Sequence, residues 1–309
     1  MAPATPTTPT TPTTPTAPAE PGGPILTITD LTRSYGRGER ARAALRGVSL
    51  TVAAGEWVAV VGPSGCGKST LLHLVGGLDT PDVGSVRIGG EEISALTPTK
   101  RALLRRRRVG FVFQSYNLVP HLDVSGNVEL GLRVAGVGRR AARARAAEVL
   151  DDFGLADLAR ALPATLSGGQ QQRVAIARAV AGRPDLVLAD EPTGALDTAA
   201  SRRVVELLRA EHGRGQTLVM VTHDYAVAAE ADRVVFLRDG RIVDERRPGG
   251  RRAATGGEAA GDAGMATAVG AGASLVVVVD DDDEDASTAR PSGDGPGNDL
   301  NDLLGLGSW

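Results

Sequence analysis

The sequence contains little cysteine, little lysine and few aromatic residues. Cys66 is the only cysteine in 309 residues, so no disulfide can form within the chain and a reducing compartment is expected. Only 3% of the residues are aromatic, and the apolar residues are mostly Ala, Val and Leu, which favours helices and parallel strands over an all-β sandwich. Lysine occurs only at Lys68 and Lys100, which makes the position of Lys68 informative.

Long apolar runs are also missing. A membrane-spanning helix needs roughly 20 apolar residues, and the run Leu275–Val279 is far too short. The first residues lack the basic segment followed by an apolar one that is typical of a secretory signal. We therefore expect a cytosolic protein that reaches a membrane only through a partner.

Composition divides the chain into three segments. Residues 1–24 consist largely of Thr, Pro and Ala, and this composition predicts a disordered tail. Residues 247–309 are rich in Gly, Ala and Asp and include the acidic run Asp280–Asp285, which repels itself and predicts a second disordered tail. The intervening residues 25–246 have the length of one domain. Because the domain is mildly basic and the second tail strongly acidic, the net charge of −3 indicates no particular partner.

Within this domain, short apolar runs alternate with helical patterns. Strands are predicted at Ile25–Leu31, Ser49–Val52, Trp57–Val61, Arg108–Phe113, Leu186–Asp190, Thr217–Val221, Arg233–Arg238 and Arg241–Val243. Helices are predicted from Lys68 to about Val75, across the helix-rich residues 127–162, from just after Ser167 to near Gly182, and around Ala199–His212. The alternation predicts an α/β fold with a mostly parallel sheet covered on both faces, and the early strands are predicted to form a separate antiparallel layer.

The segment Gly62–Ser69 fits the phosphate-loop pattern G-x-x-x-x-G-K-[ST] and lies between an apolar strand and a helix. Glycines allow several backbone N–H groups to surround phosphates, and the helix N-terminus adds the positive end of its dipole. Lys68 is predicted to bridge the β- and γ-phosphates, and the Ser69 hydroxyl to bind Mg²⁺. The alternative is a glycine-rich turn that matches by chance, which the strand and helix on either side disfavour. The predicted nucleotide-binding residues of the loop are Gly62, Pro63, Ser64, Gly65, Cys66, Gly67, Lys68, Ser69 and Thr70.

The apolar strand Leu186–Asp190 ends in two adjacent carboxylates, Asp190 and Glu191. Successive side chains at a strand end point to different sides, so the two acids can serve two roles. Asp190 is predicted to bind Mg²⁺, and Glu191 to polarise the attacking water. A strand followed by a helix-capping Asp is the alternative, and the phosphate loop upstream favours the catalytic interpretation.

The segment Leu166–Arg173 has the sequence Leu-Ser-Gly-Gly-Gln-Gln-Gln-Arg. By itself it predicts an N-capped helix, in which the Ser167 hydroxyl and the bare N–H groups of Gly168 and Gly169 form a second anion site. The segment resembles the signature loop of the ATP-binding cassette (ABC) family, and the resemblance extends over about Ile25–Glu245. It implies that the residues of this loop bind the γ-phosphate of ATP held by the phosphate loop of a second copy. These residues are Ser167, Gly168, Gly169 and Gln170.

The resemblance also implies roles for residues outside these three segments. Tyr35 resembles the aromatic residue that stacks on adenine, and Gln114 resembles the loop glutamine that senses Mg²⁺ and contacts the membrane partner. Gly194–Asp197 resembles the loop that communicates across the dimer, and His223 the histidine that contacts the γ-phosphate. Without the family, Tyr35 would be interpreted as a packing aromatic, Gln114 as an ordinary amide and His223 as a structural histidine.

Taken over the whole domain, the resemblance implies an ATP hydrolase with the P-loop NTPase fold of an ABC cassette. This fold has a mostly parallel core sheet, an antiparallel β subdomain and a helical subdomain at about residues 115–166. The implied cofactors are ATP and Mg²⁺, and the implied partners are a second copy of the cassette and an integral membrane permease. No nucleic acid is expected as a partner, and the expected location is peripheral, on the cytoplasmic face of the cell membrane.

Local sequence indicates a subgroup within the family. Residues 113–120 and 190–197 are most similar to the macrolide-exporter and lipoprotein-release group, which implies export or the extraction of a lipoprotein or other membrane substrate. One departure lies at Ser125–Val128, where a Glu usually precedes Asn127. This departure predicts a loosened helix start and affects the partner surface rather than the ATPase.

Two other classes of protein fit part of the pattern. A soluble ABC ATPase acting on nucleic acid or ribosomes would have long coiled coils between phosphate loop and signature, or two cassettes in one chain. Here that interval has only about a hundred residues without sustained heptads, and one cassette is present. A catalytically inactive regulatory cassette is the other class, and the presence of Lys68 and Glu191 disfavours it.

Overall fold

A computed structural model of the chain describes residues 23–38 and 41–248. The two predicted disordered tails, residues 1–24 and 247–309, fall outside these ranges apart from positions 23–24 and 247–248. None of the helices in the described ranges is both long enough and apolar enough to cross a membrane.

A six-stranded sheet carries most of the parallel strands that the sequence predicts. Its strands are β3 (Trp57–Val61), β6 (Val109–Val112), β7 (Leu186–Asp190), β8 (Thr217–Thr222), β9 (Arg233–Arg238) and β10 (Arg241–Arg246). Their order is β10-β9-β3-β8-β7-β6, and every neighbouring pair is parallel except the β9–β10 hairpin. Strands β3, β7 and β8 are buried along their whole length, as expected for continuous apolar runs inside a parallel sheet.

A second sheet is antiparallel and has four strands. These are β1 (Pro24–Tyr35), β2 (Arg42–Ala53), β4 (Val83–Ile88) and β5 (Glu91–Glu92), in the order β2-β1-β4-β5. The antiparallel layer of the early strands is therefore confirmed. Strands β4 and β5 were not predicted, because β4 is short and contains Gly84, and β5 has only two residues.

Helices connect the strands, and several of them begin at a capping side chain. The helices are α1 (Lys68–Val75), α2 (Pro98–Arg108), α3 (Val124–Val134), α4 (Arg139–Asp152), α5 (Gly168–Val180), α6 (Thr198–Gly213) and α7 (Tyr225–Ala228). Short 3-10 turns lie at Ala156–Leu158 and Pro163–Thr165. The side chains of Thr97, Asp123, Ser167 and Asp197 each accept a hydrogen bond from a backbone N–H in the first turn that follows.

The six-stranded sheet separates two apolar cores. Along β3, Trp57 and Val61 belong to one core, whereas Val58 and Val60 belong to the other, as the alternation of side chains in a strand requires. The first core contains residues of α3 to α7, and the second contains α1 and the inner face of the antiparallel sheet. The loop between β3 and α1 is thereby fixed at both ends by buried structure.

The region before β6 corrects one prediction. A strand was expected from Arg108 to Phe113, but Arg108 is the last residue of α2 and the strand is Val109–Val112. Helix α2 is mostly polar and buries only Leu104, so the sequence carries little apolar periodicity there. Its last turn consists of four arginines, which interact favourably with the negative end of the helix dipole.

The expected loosening at the start of α3 is not observed. The helix begins at Val124, and the Asp123 carboxylate accepts a hydrogen bond from the Gly126 N–H at 2.7 Å. Asn127 is fully buried, and its side chain bonds the Val119 N–H at 2.7 Å and three backbone carbonyls at 2.9 to 3.1 Å. These bonds hold the loop before the helix without a preceding glutamate.

Candidate active site

The carboxyl ends of four parallel strands bring most of the predicted site residues to one edge of the sheet. In register, Val61 of β3 lies beside Thr222 of β8, and Asp190 of β7 lies beside Val221. The residues that follow these strands are Gly62, His223 and Glu191, which therefore share this edge. Open α/β sheets bind ligands at the carboxyl ends of their strands.

Gln114 follows β6 on the same edge. Val112 pairs with Ala189 of β7, so Gln114 leaves the sheet beside the Asp190–Glu191 pair, and its side chain is exposed. Phe113, which precedes it, stacks on Phe111 with ring centroids 4.2 Å apart and fixes the end of the strand.

The phosphate loop has a buried base and an exposed rim. Cys66, Gly67 and Lys68 are buried, whereas Pro63, Ser64, Gly65 and Ser69 are exposed and Thr70 is half-buried. The Lys68 ammonium donates to the carbonyls of Gly62 and Pro63 at 2.7 and 2.9 Å, so it lies curled beneath its own loop. A buried ammonium that donates to neutral carbonyls is well placed to gain from an incoming polyphosphate.

Two glycines of this loop are required by geometry. Gly67 has a φ of 108°, and a Cβ there would lie 2.3 Å from the carbonyl oxygen of Ala44 in β2. A Cβ on Gly62 would lie 2.0 Å from the carbonyl oxygen of Leu237 in β9. The loop is thus pressed against both sheets, and its close backbone approach is possible only without side chains.

Cys66 contributes packing to this loop. Its side chain is buried, and burial raises the pKa of the thiol despite the opposing effect of Lys68. Its carbonyl accepts a hydrogen bond from the Gly240 N–H at 3.0 Å, which ties the loop to the β9–β10 turn. A buried thiol with a raised pKa is a poor nucleophile.

Ser69 and Asp190 meet below the loop. The Ser69 hydroxyl donates to an Asp190 carboxylate oxygen at 3.1 Å. Asp190 is buried, and burial raises the pKa of its carboxyl, although the Ser69 hydrogen bond, His73 and Lys68 act in the opposite direction. An exposed hydroxyl and a buried carboxylate that converge are suitable oxygen ligands for Mg²⁺, which usually takes one or two carboxylates together with phosphates.

Glu191 and His223 form a second pair at this edge. His223 Nδ1 lies 2.8 Å from a Glu191 carboxylate oxygen, and the Glu191 side chain is mostly buried whereas the imidazole is mostly exposed. The Glu191 backbone has a φ of 44°, and its N–H donates to the Val221 carbonyl at 3.0 Å. This left-handed turn separates the Glu191 side chain from that of Asp190, so the two carboxylates face different partners.

Tyr35 is the last residue of β1 and lies at the end of the antiparallel sheet. It pairs with Arg42 of β2, the strand whose Ala44 contacts the phosphate loop. The Tyr35 side chain is 41% exposed, and its hydroxyl donates to an Asp79 carboxylate oxygen at 2.8 Å. A partly exposed aromatic residue therefore lies on the strand pair that borders the loop.

The signature residues form a separate group at the start of α5. The Ser167 N–H donates to the Gln170 side chain at 2.8 Å, and the Gln170 N–H donates to the Ser167 hydroxyl at 3.3 Å, which completes a capping box. A Cβ on Gly169 would lie 2.8 Å from Ala200 at the start of α6, so this glycine permits close helix packing. Within the described ranges, no hydrogen bond joins residues 167–170 to the phosphate loop.

Two features near the site were missed by sequence reasoning. Asp79 and Arg33 hold Tyr35, and both are ordinary surface residue types without a motif of their own. Their position after α1 and within β1 gave no indication that they meet across 46 positions of sequence.

Comparisons with known proteins identify the family of the chain. The family described as ABC transporter matches residues 45–194. An uncharacterized ABC transporter ATP-binding protein of Thermotoga maritima is 49% identical over 225 residues, which cover 73% of this chain and 96% of that protein. A macrolide export ATP-binding/permease protein MacB of Hyphomonas neptunium is 47% identical over 222 residues, which cover 72% of this chain and 34% of that protein. The chain thus spans about a third of the length of this MacB protein.

Solved structures give the same result. A dimeric structure of the ATP-binding cassette MJ0796, in a post-hydrolysis state bound to ADP and Pi, is 40% identical with a TM-score of 0.69. The match covers 74% of this chain and 100% of that one. The predicted cassette fold and ATPase activity are confirmed. The chain belongs to the ABC transporter family and is an ATP-binding, ATP-hydrolysing subunit of a transporter.

Proposed function

We propose that the subunit hydrolyses ATP with Mg²⁺ at the carboxyl edge of the six-stranded sheet and thereby drives a separately encoded membrane permease. The observation that carries the catalytic part is the convergence of Lys68, the Ser69–Asp190 pair and the Glu191–His223 pair on this edge. Together they supply a cation for phosphates, oxygen ligands for a metal and a carboxylate for proton transfer.

Each group has a distinct proposed task. Lys68 leaves the carbonyls of Gly62 and Pro63 and bonds the β- and γ-phosphates, because charged acceptors bind an ammonium more strongly than neutral ones. Ser69, Asp190 and Gln114 would hold Mg²⁺, which neutralises charge on the phosphate oxygens when bound. The loop backbone from Gly62 to Thr70 surrounds the phosphates.

Proton transfer is proposed for Glu191. Its carboxylate accepts a proton from the attacking water, and the contact with His223 Nδ1 orients it toward the γ-phosphate. His223 is mostly exposed, so its ring is free to contact the same phosphate. The adenine base would stack on the exposed face of Tyr35.

The second copy is proposed from the separation of the signature residues. Ser167, Gly168, Gly169 and Gln170 begin a helix whose N-terminus attracts anions, but no hydrogen bond in the described ranges links them to the phosphate loop. In a head-to-tail pair of cassettes, they would bind the γ-phosphate held by the partner copy. The dimeric description of the MJ0796 structure supports this arrangement.

The permease is proposed to contact the surface beside Gln114. A groove of about 720 Å³ lies between α2, α3 and α5 and continues from Phe113, which precedes Gln114. Leu103 and Val134 line it and are 42% and 52% exposed, so the groove presents more than one apolar side chain to solvent. Such a contact would place the subunit at the cytoplasmic face of the membrane, and the MacB relatives suggest export or extraction of a membrane substrate.

Copurification tests the partner. The tagged chain should be recovered from solubilised membranes in a fixed ratio with an integral membrane protein, and substitutions of Leu103 and Val134 by Ser should release it. Substitution of Val243 on β10, which is 59% exposed and lies outside this groove, by Ser provides the control. Recovery with DNA or ribosomes, and with no membrane protein, would contradict the proposed permease.

A further inference from the structure

Tyr35 is held by a network that no nucleotide motif includes. The Arg33 guanidinium binds the Asp79 carboxylate at two points, from Nε at 3.0 Å and from Nη2 at 2.9 Å. Arg33 also donates from Nη1 to Asp82 at 2.7 Å. Asp79 accepts the Tyr35 hydroxyl at 2.8 Å. One carboxylate therefore fixes both the aromatic residue and the arginine next to it.

The Asp79 carboxylate is itself well anchored. The Thr80 N–H donates to the same oxygen that accepts Arg33 Nη2, at 2.7 Å, so four donors surround the two oxygens. Partial burial favours the neutral form, but the hydrogen bonds and the charge of Arg33 prevail, and the pKa of Asp79 lies below its ordinary value. The carboxylate is thus ionised at neutral pH and works as a fixed acceptor.

The network also determines which face of the Tyr35 ring is free. The Arg33 guanidinium carbon lies 4.9 Å from the ring centroid and covers one face. Tyr35 as a residue remains 41% exposed, so a base can reach the ring on the side that Arg33 does not cover. A base that stacks there would place the tyrosine ring between the base and the Arg33 guanidinium. Because the network already restricts rotation of the tyrosine ring, binding of the base costs less conformational entropy.

Asp79 links this ring to the phosphate loop. It lies just beyond α1, and its N–H donates to the His73 carbonyl of that helix at 3.3 Å. Helix α1 begins at Lys68 of the phosphate loop, and the segment after its other end carries the carboxylate that holds Tyr35. The distance between base platform and phosphate loop is then set by one rigid element.

We infer that Asp79, together with Arg33, is a positioning residue that holds Tyr35 as a preformed platform for the adenine base. The inference rests on the proposed stacking role of Tyr35. Asp79 contributes to affinity for a nucleoside triphosphate only through the tyrosine and does not contribute to affinity for the phosphates alone.

Binding measurements on the full chain test this inference. The non-hydrolysable analogue AMP-PNP and inorganic tripolyphosphate are titrated against wild type, Asp79→Asn, Tyr35→Ala and the double variant. Asp79→Asn should weaken AMP-PNP binding roughly fivefold to tenfold, since a base–aromatic stack contributes about that much or more. Tripolyphosphate affinity should not change. Asp185→Asn, which removes the carboxylate partner of Arg108 at 2.8 Å, is the matched control and should change neither affinity.

The double variant separates a positioning role from a structural one. If Asp79 acts through Tyr35, Asp79→Asn has no further effect on AMP-PNP affinity in the Tyr35→Ala background. The inference is overturned if Asp79→Asn weakens tripolyphosphate binding as much as AMP-PNP binding. It is also overturned if the effects of Asp79→Asn and Tyr35→Ala on AMP-PNP affinity are fully additive in the double variant. A normal AMP-PNP affinity of Tyr35→Ala instead refutes the proposed stacking role of Tyr35. Tyr35→Phe removes only the hydroxyl that binds Asp79, so it should weaken AMP-PNP binding by less than Tyr35→Ala does. It replaces Asp79→Asn in this test if that variant folds poorly.

Discussion

Replacing Glu191 by glutamine removes the proposed base and keeps the size of the side chain. The glutamine amide can still contact His223, and the left-handed backbone at this position, with a φ of 44°, strains glutamate and glutamine equally. Because the His223 side chain is 61% exposed, losing the charge on Glu191 should cost under about 1 kcal/mol of stability. The proton acceptor is lost completely, so kcat should fall roughly 100- to 10,000-fold, whereas ATP affinity should change less than about threefold.

The assay compares steady-state phosphate release, ATP binding and molecular mass in solution for Glu191→Gln. We expect normal binding, almost no turnover and an ATP-dependent dimer, since nucleotide that is not hydrolysed keeps two copies together. Glu206→Gln, an exposed carboxylate on α6, is the matched control and should hydrolyse ATP at the normal rate. Hydrolysis by Glu191→Gln at the wild-type rate would refute the role assigned to Glu191.

Three further predictions concern stability and are checked by unfolding midpoints. Burial raises the pKa of Asp190, so its negative charge destabilises the native state at any pH above that pKa. Asp190→Asn should therefore raise the unfolding midpoint at pH 7 without Mg²⁺. This gain in midpoint should disappear as the pH falls and Asp190 of the wild type becomes protonated. An unchanged gain at low pH would contradict this sign. Gly62→Ala should lower the free energy of unfolding by about 3 kcal/mol or more, because its Cβ would lie 2.0 Å from the Leu237 carbonyl oxygen. Gly213 has open space around it, so Gly213→Ala is the control and should change the free energy of unfolding by less than about 0.5 kcal/mol. Asn127→Ala should lower the free energy of unfolding by about 2–4 kcal/mol, since it leaves several buried backbone groups without hydrogen-bond partners. A smaller loss of stability would mean that water molecules take over the hydrogen bonds of the amide.

The predicted strands were most accurate where the sequence was most apolar. The bounds of Trp57–Val61 and Leu186–Asp190 were predicted correctly, because strands buried on both faces require uninterrupted apolar residues. The helix from Lys68 to Val75 was also correct, since it follows directly from the phosphate-loop pattern. Strand β4 and helix α2 were missed, because their stability depends on partners that are distant in sequence rather than on a local period.

Motif residues of the site could be identified without a structure. Gly62 to Thr70, Asp190, Glu191 and the signature loop each pair a residue type with a fixed local geometry, so the pattern itself carries the chemistry. Their proposed roles remain predictions that the variants above test. The ABC family assignment, which the sequence suggested, is confirmed by relatives that match nearly their full length.

Local patterns of apolar, glycine and charged residues were enough to predict the fold class and to propose a chemistry for each motif. Which of these residues lie in contact depends on tertiary packing. Glu191 and His223 are 32 positions apart and touch because β7 and β8 are neighbouring parallel strands. Asp79 holds Tyr35 across 44 positions because the segment after α1 lies beside the end of β1, a relation that no local pattern encodes.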